Sequence, residues 1–350
     1  MTDASPPHKR RARYAGTHPR QFEEKYKELD PARHAAEVEK VKQRGQTPAG
    51  MHRSICVEEI LAVLKPSPGE TGLDLTLGFG GHTLAMLPLV QPGGRIFGMD
   101  VDPIELPRTT ARLRALGFGE DALIVHRANF SELATLLPQA GGGFDFVLAD
   151  LGVSSMQIDN PTRGFSFRAD GPLDLRLDPS SGQSASELLL CVTRHRLRDL
   201  LVDNADEPFA VPLAAALQGQ YLETTLQLAD LVRATMERAY KRSMPTEERL
   251  VETRKVLQRT FQALRIEVND EFGVLDQMLL NLPTCLKPGG RVAILSFHSG
   301  EDRRVKKCFQ AGSATAPSAV SPPTPFAHRT TSSAATPALH RPSCAGRCVG

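Results

Sequence analysis

The pattern of apolar and polar residues along the chain changes near Ser54. Before it, the chain is polar and charged, which is typical of solvated helices and turns. From Ser54 onward, the segment SICVEEILAVLK carries apolar residues at helical spacing, with Val57, Ile60, Leu61 and Leu64 on one face. The sequence therefore predicts that the globular part of the protein begins here with an amphipathic helix.

Short apolar runs then alternate with helical segments. Four runs have the length of buried strands, namely TGLDLTL, GRIFGMD, ALIVHRA and FDFVLADLG. The segments HTLAMLPLV and PIELPRTTARLRALG lie between them and have the composition of helices. Because this alternation is typical of βαβ units, it predicts a parallel sheet in an α/β fold.

The alternation stops after the fourth strand. The polar segment SSMQIDNPTRGFSFRADGPLDLRLDPSSGQ predicts a loop, ordered or disordered, and helices are expected from Ser184 to about Tyr240. The residues SASE, 184–187, have the pattern of a capping box. The stretch RTFQALRIEVNDEFGVLDQMLLNLPTCL predicts one long amphipathic helix, and GRVAILSF then returns to the sheet. The sequence thus predicts an open parallel α/β domain with a helical insertion after its fourth strand.

Four parts of the chain follow from this pattern. Residues 1–50 are a polar N-terminal extension, and residues 51–155 together with 250–310 form the Rossmann-like domain. Residues 156–249 contain the loop and the helical insertion, where we expect substrate recognition. Residues 311–350 form a low-complexity tail that is too poor in apolar side chains to bury a core.

Composition adds limits on the class of protein. The chain has 350 residues, 41% of them hydrophobic, and a net charge of +2, which is too small to identify a nucleic-acid-binding protein. Its six cysteines form no C-x-x-C pair, so we expect a reducing compartment and no metal site. Without a long apolar run or an apolar signal segment, the sequence predicts a cytoplasmic protein that does not bind a membrane.

A glycine-rich loop after the first predicted strand indicates a ligand site. In GFGGH, Gly78, Gly80 and Gly81 let the backbone approach a ligand closely, and His82 opens the next helix. Asp100 ends the second strand about twenty residues later, where an acid binds ribose hydroxyls. The loop departs from G-x-G-x-x-G and the chain has no P-loop, so S-adenosylmethionine is favoured over a dinucleotide.

A longer motif identifies a family. The segment DLGVSSMQIDNPTRGFSFRADGPLDLRLD, from Asp150 to Asp178, resembles the signature of the RsmH family. GFGGHT, ANFSEL, RTFQALRIEVNDE and KPGGRVAILSFHSGEDRRVKK extend the resemblance over roughly residues 10 to 310. RsmH proteins are bacterial small-subunit ribosomal RNA cytosine-N4 methyltransferases, with organellar relatives.

The resemblance implies both a fold and an activity. The fold is that of a Rossmann-like class I methyltransferase that depends on S-adenosylmethionine. The activity is N4-methylation of a specific cytidine in the decoding region of 16S ribosomal RNA. The implied partner is that RNA within an assembled or nearly assembled small ribosomal subunit.

The resemblance also implies a cofactor site at the ends of several strands. Its residues would be Gly80, Gly81, His82, Asp100, Phe130, Asp150 and Gln157. In this scheme the glycines and His82 hold the methionine part, Asp100 the ribose and Phe130 the adenine. Asp150 is also the candidate catalytic residue, and it would orient either the target amine or the cofactor.

Substrate contacts are expected from the polar segment and from the residues after the last strand. The predicted substrate-binding residues are Arg163, Arg168, His298 and Arg303. Arg176 is a further candidate phosphate contact, and Phe165 and Phe167 are candidate stacking faces for bases. Alternatively, the arginines of the polar segment pair with Asp170, Asp174 and Asp178 and only hold the loop. Ser299 to Asp302 also predicts a capping box.

Three departures from the family pattern keep alternatives open. Leu75 replaces a glycine beside the cofactor loop, and DNADEPFAVPLAAAL lacks the usual glycine and arginines of the insertion. A basic segment expected near the C-terminus is absent. One alternative is therefore a ribosome-assembly factor with weak or no catalysis. The other is an amino-methyltransferase for another nucleic acid, although the Pro-Pro-aromatic stretch typical of DNA enzymes does not follow Asp150.

Overall fold

A computed structural model of the protein describes residues 54–240, 244–315 and 343–348. The predicted N-terminal extension lies outside these residues, as does the stretch 316–342 of the predicted tail. Within the described residues, no helix is long and apolar enough to cross a membrane.

One six-stranded sheet organises the fold. Its strands are β1 (Thr71–Asp74), β2 (Arg95–Asp100), β3 (Leu123–Arg127), β4 (Phe144–Asp150), β5 (Leu286–Ser296) and β6 (Ser343–Cys348). The spatial order is β3-β2-β1-β4-β5-β6, with β1 to β5 mutually parallel and β6 antiparallel to β5. The first five strands confirm the predicted parallel sheet. The sixth was not predicted, because it falls in the low-complexity tail.

Helices connect the strands and form the insertion. Around the sheet they are α1 (Val57–Leu64), α2 (Gly81–Val90), α3 (Glu105–Ala115), α4 (Leu137–Ala140), α11 (Glu271–Cys285) and α12 (Ser299–Thr315). In the signature segment and the insertion they are α5 (Ser155–Asp159), α6 (Ala185–Cys191), α7 (Arg194–Ala205), α8 (Ala210–Leu217), α9 (Thr225–Ala239) and α10 (Thr246–Val268). Two 3₁₀ turns, Phe130–Leu136 and Pro161–Arg163, complete the set.

The sheet is buried on both faces. Along β4, Val147 and Ala149 pack into one apolar cluster, whereas Phe146 and Leu148 pack into another on the opposite face. This alternation is what a parallel sheet covered by helices requires, and it explains why the predicted strands are almost continuously apolar. Functional side chains are therefore confined to the ends of the strands.

The insertion has an apolar core of its own, made by α6 to α10. The signature segment contributes Phe165, Leu173 and Leu175 to this core, so the segment is an ordered loop. Its helix α6 begins with the predicted capping box of Ser184 and Glu187. Helix α10 packs into the same core through residues up to Leu264, which favours a domain boundary later than the predicted residue 249.

The prediction of one long helix before β5 was wrong. The chain breaks between α10 and α11 at Asn269 and Asp270, and Asp270 adopts a left-handed backbone with φ of 46°. The Asn269 side chain accepts a hydrogen bond from the Leu177 N–H at 2.7 Å and donates to the Leu175 carbonyl at 2.8 Å. Contacts with the distant signature segment thus accompany the break, and periodicity alone does not contain this information.

Candidate active site

The carboxyl ends of three neighbouring strands each carry an aspartate. Asp74 ends β1, Asp100 ends β2 and Asp150 ends β4. The sheet order places β1 between the other two, so three acids share one edge. Ligands of open α/β sheets bind at this edge, which makes the three aspartates the frame of the candidate site.

Asp74 is fully enclosed and its carboxylate serves the loop around it. One oxygen accepts from the Thr83 hydroxyl at 2.6 Å and the other from the Thr76 N–H at 3.1 Å. Burial raises the pKa of Asp74, and the hydrogen bond from Thr83 opposes that rise. Both carboxylate oxygens accept hydrogen bonds from within the protein, so Asp74 supports the loop at this site.

Asp100 holds the loop that follows β1. Its carboxylate accepts from the Gly78 N–H at 2.6 Å and from the Asp102 N–H at 2.9 Å. Burial raises its pKa to about 6, against these two hydrogen bonds. The Thr109 hydroxyl donates to the Gly78 carbonyl at 2.6 Å, so the loop is fixed from two sides.

The glycines of the loop are needed for different reasons. Gly80 caps α2 with φ of 71°, and a Cβ there would press on Thr109 and Leu113. A Cβ on Gly81 would clash with the Ser54 hydroxyl. A Cβ on Gly78 would make only an ordinary contact, 3.7 Å from the Thr76 carbonyl oxygen, so its φ of 49° and not crowding favours glycine there. Crowding therefore explains Gly80 and Gly81 but not Gly78.

His82 and Asp150 form a buried pair at the end of β4. The His82 Nε2 lies 2.9 Å from the Ile55 carbonyl oxygen, so this nitrogen donates. The His82 Nδ1 lies 3.6 Å from Asp150 Oδ2. At 3.6 Å this contact is longer than an ordinary hydrogen bond.

The other oxygen of Asp150 is buried without a hydrogen-bond partner. The pKa of Asp150 is raised to about 6, mainly by burial and to a smaller extent by Asp74 and Glu301, whereas His82 opposes the rise. A buried acceptor that lacks a partner costs free energy, so its persistence at a sheet edge calls for an explanation. A donor on a bound substrate would supply the missing hydrogen bond.

A second buried carboxylate, Asp102, joins this edge to the signature segment. One oxygen accepts from the backbone N–H groups of Ile104 and Glu105 at 2.8 and 3.1 Å. The other accepts from Gln157 Nε2 and from Arg163 Nη1, each at 2.7 Å. Asp102 is wholly buried and Arg163 is 5% exposed. The predicted cofactor residue Gln157 therefore contacts Asp102, and it also belongs to the capping box of α5.

Arg163 and His298 are placed in the interior and not toward substrate. Arg163 also donates to the Leu177 carbonyl at 2.7 Å, which uses the rest of its guanidinium on the signature segment. His298 Nε2 lies 3.3 Å from the Glu301 carboxylate. The fold thus uses both predicted substrate-binding residues as internal supports.

Arg168 and Arg303 remain on the surface. Arg168 is exposed, and the Arg303 side chain, 62% exposed, has only a long contact of 3.4 Å with Asp206. By contrast, Arg176 holds Asp174 at 2.7 Å, as the loop-holding alternative expects. Arg168 and Arg303 are therefore the two predicted arginines free to meet a polyanion.

The three predicted aromatic residues have different surroundings. Phe165 is buried in the insertion core, and Phe167 packs against Phe261 with ring centroids 5.4 Å apart, so neither presents a face to a base. Phe130 lies three residues after the end of β3 and opens a 3₁₀ turn capped by Asn129. Its partly buried ring lies against the core at the same edge of the sheet.

A cluster of charges lies behind the end of β5. Arg265 binds both oxygens of Glu271 at 2.7 and 2.9 Å, and His298 faces Glu301. Glu301 accepts from the Phe297 N–H at 2.8 Å. Glu271, His298 and Glu301 place ligand-type atoms within 4.8 Å of one another, but Arg265 already neutralises Glu271. The predicted capping box was wrong, since the Ser299 hydroxyl faces Asp206 and the Asp302 N–H donates to the His298 carbonyl.

Sequence reasoning missed several residues of this edge. Asp74 and Asp102 were not singled out, although each closely follows a buried strand segment in the sequences TGLD and GMDVD. Phe297 was also missed within SFHSGEDR. An acid or aromatic side chain just after an apolar run is the signal that would have indicated them.

Comparison with known proteins identifies the family. A model of the MraW methylase family matches residues 49–340. The chain is 51% identical over 310 residues to ribosomal RNA small subunit methyltransferase H 1 of Lachnoclostridium phytofermentans, covering 87% of this chain and 83% of that protein. It is 53% identical over 306 residues to ribosomal RNA small subunit methyltransferase H 2 of Alkaliphilus metalliredigens, covering 86% of each.

A more distant relative matches a shorter part of the chain. Ribosomal RNA small subunit methyltransferase H of Myxococcus xanthus is 41% identical over 266 residues, which cover 74% of this chain and 80% of that protein. These matches confirm the resemblance inferred from the motifs. The chain belongs to the MraW methylase family and is a methyltransferase that depends on S-adenosylmethionine.

Proposed function

We propose that the protein methylates N4 of a cytidine in the decoding region of 16S ribosomal RNA, acting in the cytoplasm on an assembled or nearly assembled small subunit. Two relatives that are 51% and 53% identical to this chain are named ribosomal RNA small subunit methyltransferases. The observation that carries the chemical part of the proposal is Asp150 Oδ1, a buried acceptor without a partner at the end of β4.

The residues at the edge fit S-adenosylmethionine. Gly78 is not crowded by its neighbours, and Asp100 presents a partly buried carboxylate at the end of the neighbouring strand. We assign Asp100 to the ribose hydroxyls, Phe130 to the adenine, and the loop through Gly80, Gly81 and His82 to the methionine part. Gln157 acts in this assignment by holding Asp102, which in turn donates its N–H to Asp100. The bound cofactor supplies an electrophilic methyl group on a sulfonium.

Asp150 prepares the target nitrogen. The N4 lone pair of cytosine is delocalised into the ring, so the amine is a poor nucleophile until its protons are engaged by an acceptor. Asp150 Oδ1 accepts one N–H and thereby holds the lone pair toward the methyl group. The methyl group would pass from the sulfonium sulfur to N4 and leave a neutral thioether, and the Asp150 carboxylate would take the proton that the cationic amine then loses.

The surface around the site provides phosphate contacts. Arg168 and Arg303 are exposed and are assigned to the RNA backbone, in agreement with part of the predicted set. Arg163 and His298 are assigned to internal support instead. The insertion and signature segment would form the substrate-recognition part, and the packing of α10 into the same core supports a boundary later than residue 249.

The test is transfer of labelled methyl groups to small ribosomal subunits that lack the modification, followed by nucleoside analysis. We expect label as N4-methylcytidine with wild-type protein and none with Asp150→Ala. Label in another nucleoside would overturn the substrate assignment. Binding of S-adenosylmethionine without transfer would favour the assembly-factor alternative.

A further inference from the structure

Phe297 lies at the sheet edge that carries Asp150, and none of the functions assigned above uses its side chain. It follows directly after β5, next to the end of β4. Asp150 is paired with Leu295, and the Leu151 N–H donates to the Leu295 carbonyl at 3.1 Å. A Cβ on Gly152 would lie 3.8 Å from the Phe297 ring, so the ring sits beside the backbone that leaves Asp150.

The ring is exposed where its neighbours are buried. Phe297 is 40% exposed, whereas Leu295 is fully buried and Ser296 is 4% exposed. Single exposed apolar side chains are common on protein surfaces, so exposure alone indicates nothing. The supporting contacts beneath this ring distinguish it from such cases.

A buried carboxylate holds the backbone of Phe297. Glu301 is 3% exposed and accepts the Phe297 N–H at 2.8 Å. His298 faces the same carboxylate and packs against Phe272, with ring centroids 5.7 Å apart. Enclosing a carboxylate is costly unless it is well paired, so the turn that carries Phe297 is fixed by strong interactions. The ring is therefore presented outward on a rigid support.

A base that reacts at its exocyclic amine must leave its stack and needs a replacement face. Enzymes that act on bases supply that face with aromatic or apolar side chains. The other aromatic residues proposed for this purpose, Phe165 and Phe167, are packed into the insertion core. Phe130 lies after β3, on the far side of β2 and β1 from Asp150 in the sheet order.

We propose that Phe297 is the stacking face for the flipped target cytosine and fixes its amine opposite Asp150. This inference rests on the proposed function and adds to it a residue that contacts the base. The pyrimidine ring would lie on the exposed face of Phe297, and no contact of the Phe297 side chain with the cofactor is needed. Its role is in positioning the substrate base, so its loss should leave cofactor binding intact.

The test is a substitution series at this position, assayed with unmodified small subunits. Phe297→Tyr and Phe297→Trp keep an aromatic face, whereas Phe297→Leu keeps only apolar volume. Loss of one base stack lowers kcat/KM roughly 5- to 100-fold, so we expect that loss for Leu and near wild-type values for Tyr. The affinity for S-adenosylmethionine, measured by calorimetry, and the melting temperature should change little in every variant.

Leu280→Ala is the control, since Leu280 is an apolar residue 71% exposed on α11, which lies outside the assigned substrate-recognition part. It should leave kcat/KM unchanged. Wild-type activity of Phe297→Leu would overturn the proposal. Equal losses in the Leu and Tyr variants would also overturn it, because they would indicate that Phe297 packs within the protein and does not stack on the base. A wild-type protein that transfers no methyl group to cytidine would instead refute the proposed function itself.

Discussion

Two carboxylates near the same sheet edge, Asp102 wholly buried and Asp150 partly exposed, have opposite surroundings. Asp102 accepts four hydrogen bonds, from two backbone N–H groups, Gln157 and Arg163. Asp150 has His82 at 3.6 Å from one oxygen and no partner at the other. The saturated acid is suited to holding the signature segment against the sheet. The unsaturated acid retains a free acceptor and a raised pKa, which suit it to chemistry.

The comparison also separates the two candidate roles of the signature segment. Its arginine Arg163 was predicted to bind substrate, but it is committed to Asp102, whereas exposed Arg168 remains available. Residues of one type within one motif thus divide between support and recognition according to burial. Four measurements test this division.

The largest effect is expected from Asp150→Asn. This change keeps the shape but replaces an oxygen acceptor with an amide and removes the proton acceptor, so we expect kcat to fall roughly 10²- to 10⁴-fold. The pKa of Asp150 is raised to about 6 in the folded protein. Keeping Asp150 ionised above that pH therefore lowers the free energy of unfolding. The variant should therefore be more stable at pH 7, by about 1–3 kcal/mol. Unchanged activity in a folded variant would refute the assignment of Asp150.

The next largest effect is expected from Arg163→Met. Removing one partner of a buried ion pair leaves the Asp102 charge uncompensated, which costs about 3–5 kcal/mol of unfolding free energy. Denaturant unfolding measures this loss. The double variant Asp102→Asn with Arg163→Met should recover part of it, because no buried charge is then left alone. If Arg163→Met retained full stability but lost subunit binding, the direct substrate role would be restored.

The pH dependence of the reaction provides a third test. Asp150 must be ionised to accept from the amine, and its pKa is raised to about 6. We expect kcat/KM to be constant above pH 7 and to fall tenfold per unit well below pH 6. Asp100 has a similar raised pKa, so cofactor affinity must be measured at the same pH values to separate the two acids. A rate that is flat down to pH 5 would contradict the role of Asp150.

The smallest effects are expected from the exposed arginines. Arg168→Ala and Arg303→Ala should each weaken subunit binding by roughly 3- to 10-fold and reduce the salt slope by about one. Arg176→Ala is the matched control, because Arg176 is held by Asp174 within the loop. A larger loss of subunit binding from the control than from either exposed arginine would reverse the assignment of these side chains.

The sheet and the family could be predicted from the sequence because each strand and the family motif is a continuous stretch of the chain. Apolar runs such as FDFVLAD must be strands buried on two faces, and the confirmed parallel arrangement of five strands follows from their alternation with helices. The motif from Asp150 to Asp178 was specific enough to indicate the family before any coordinate was known. The acids at strand ends were visible for the same reason, and Asp100 and Asp150 were identified.

The role of each polar residue depends on the partners and the burial that the folded chain gives it. Arg163 and Arg168 are five residues apart with the same side chain, yet one meets Asp102 in the interior and the other meets solvent. The break after α10, the role of Gly81 beneath Ser54 and the exposure of Phe297 likewise depend on partners far along the chain or in another strand. A side chain's function follows from its burial and its partners, and these are fixed when distant segments pack together, so local sequence patterns do not contain them.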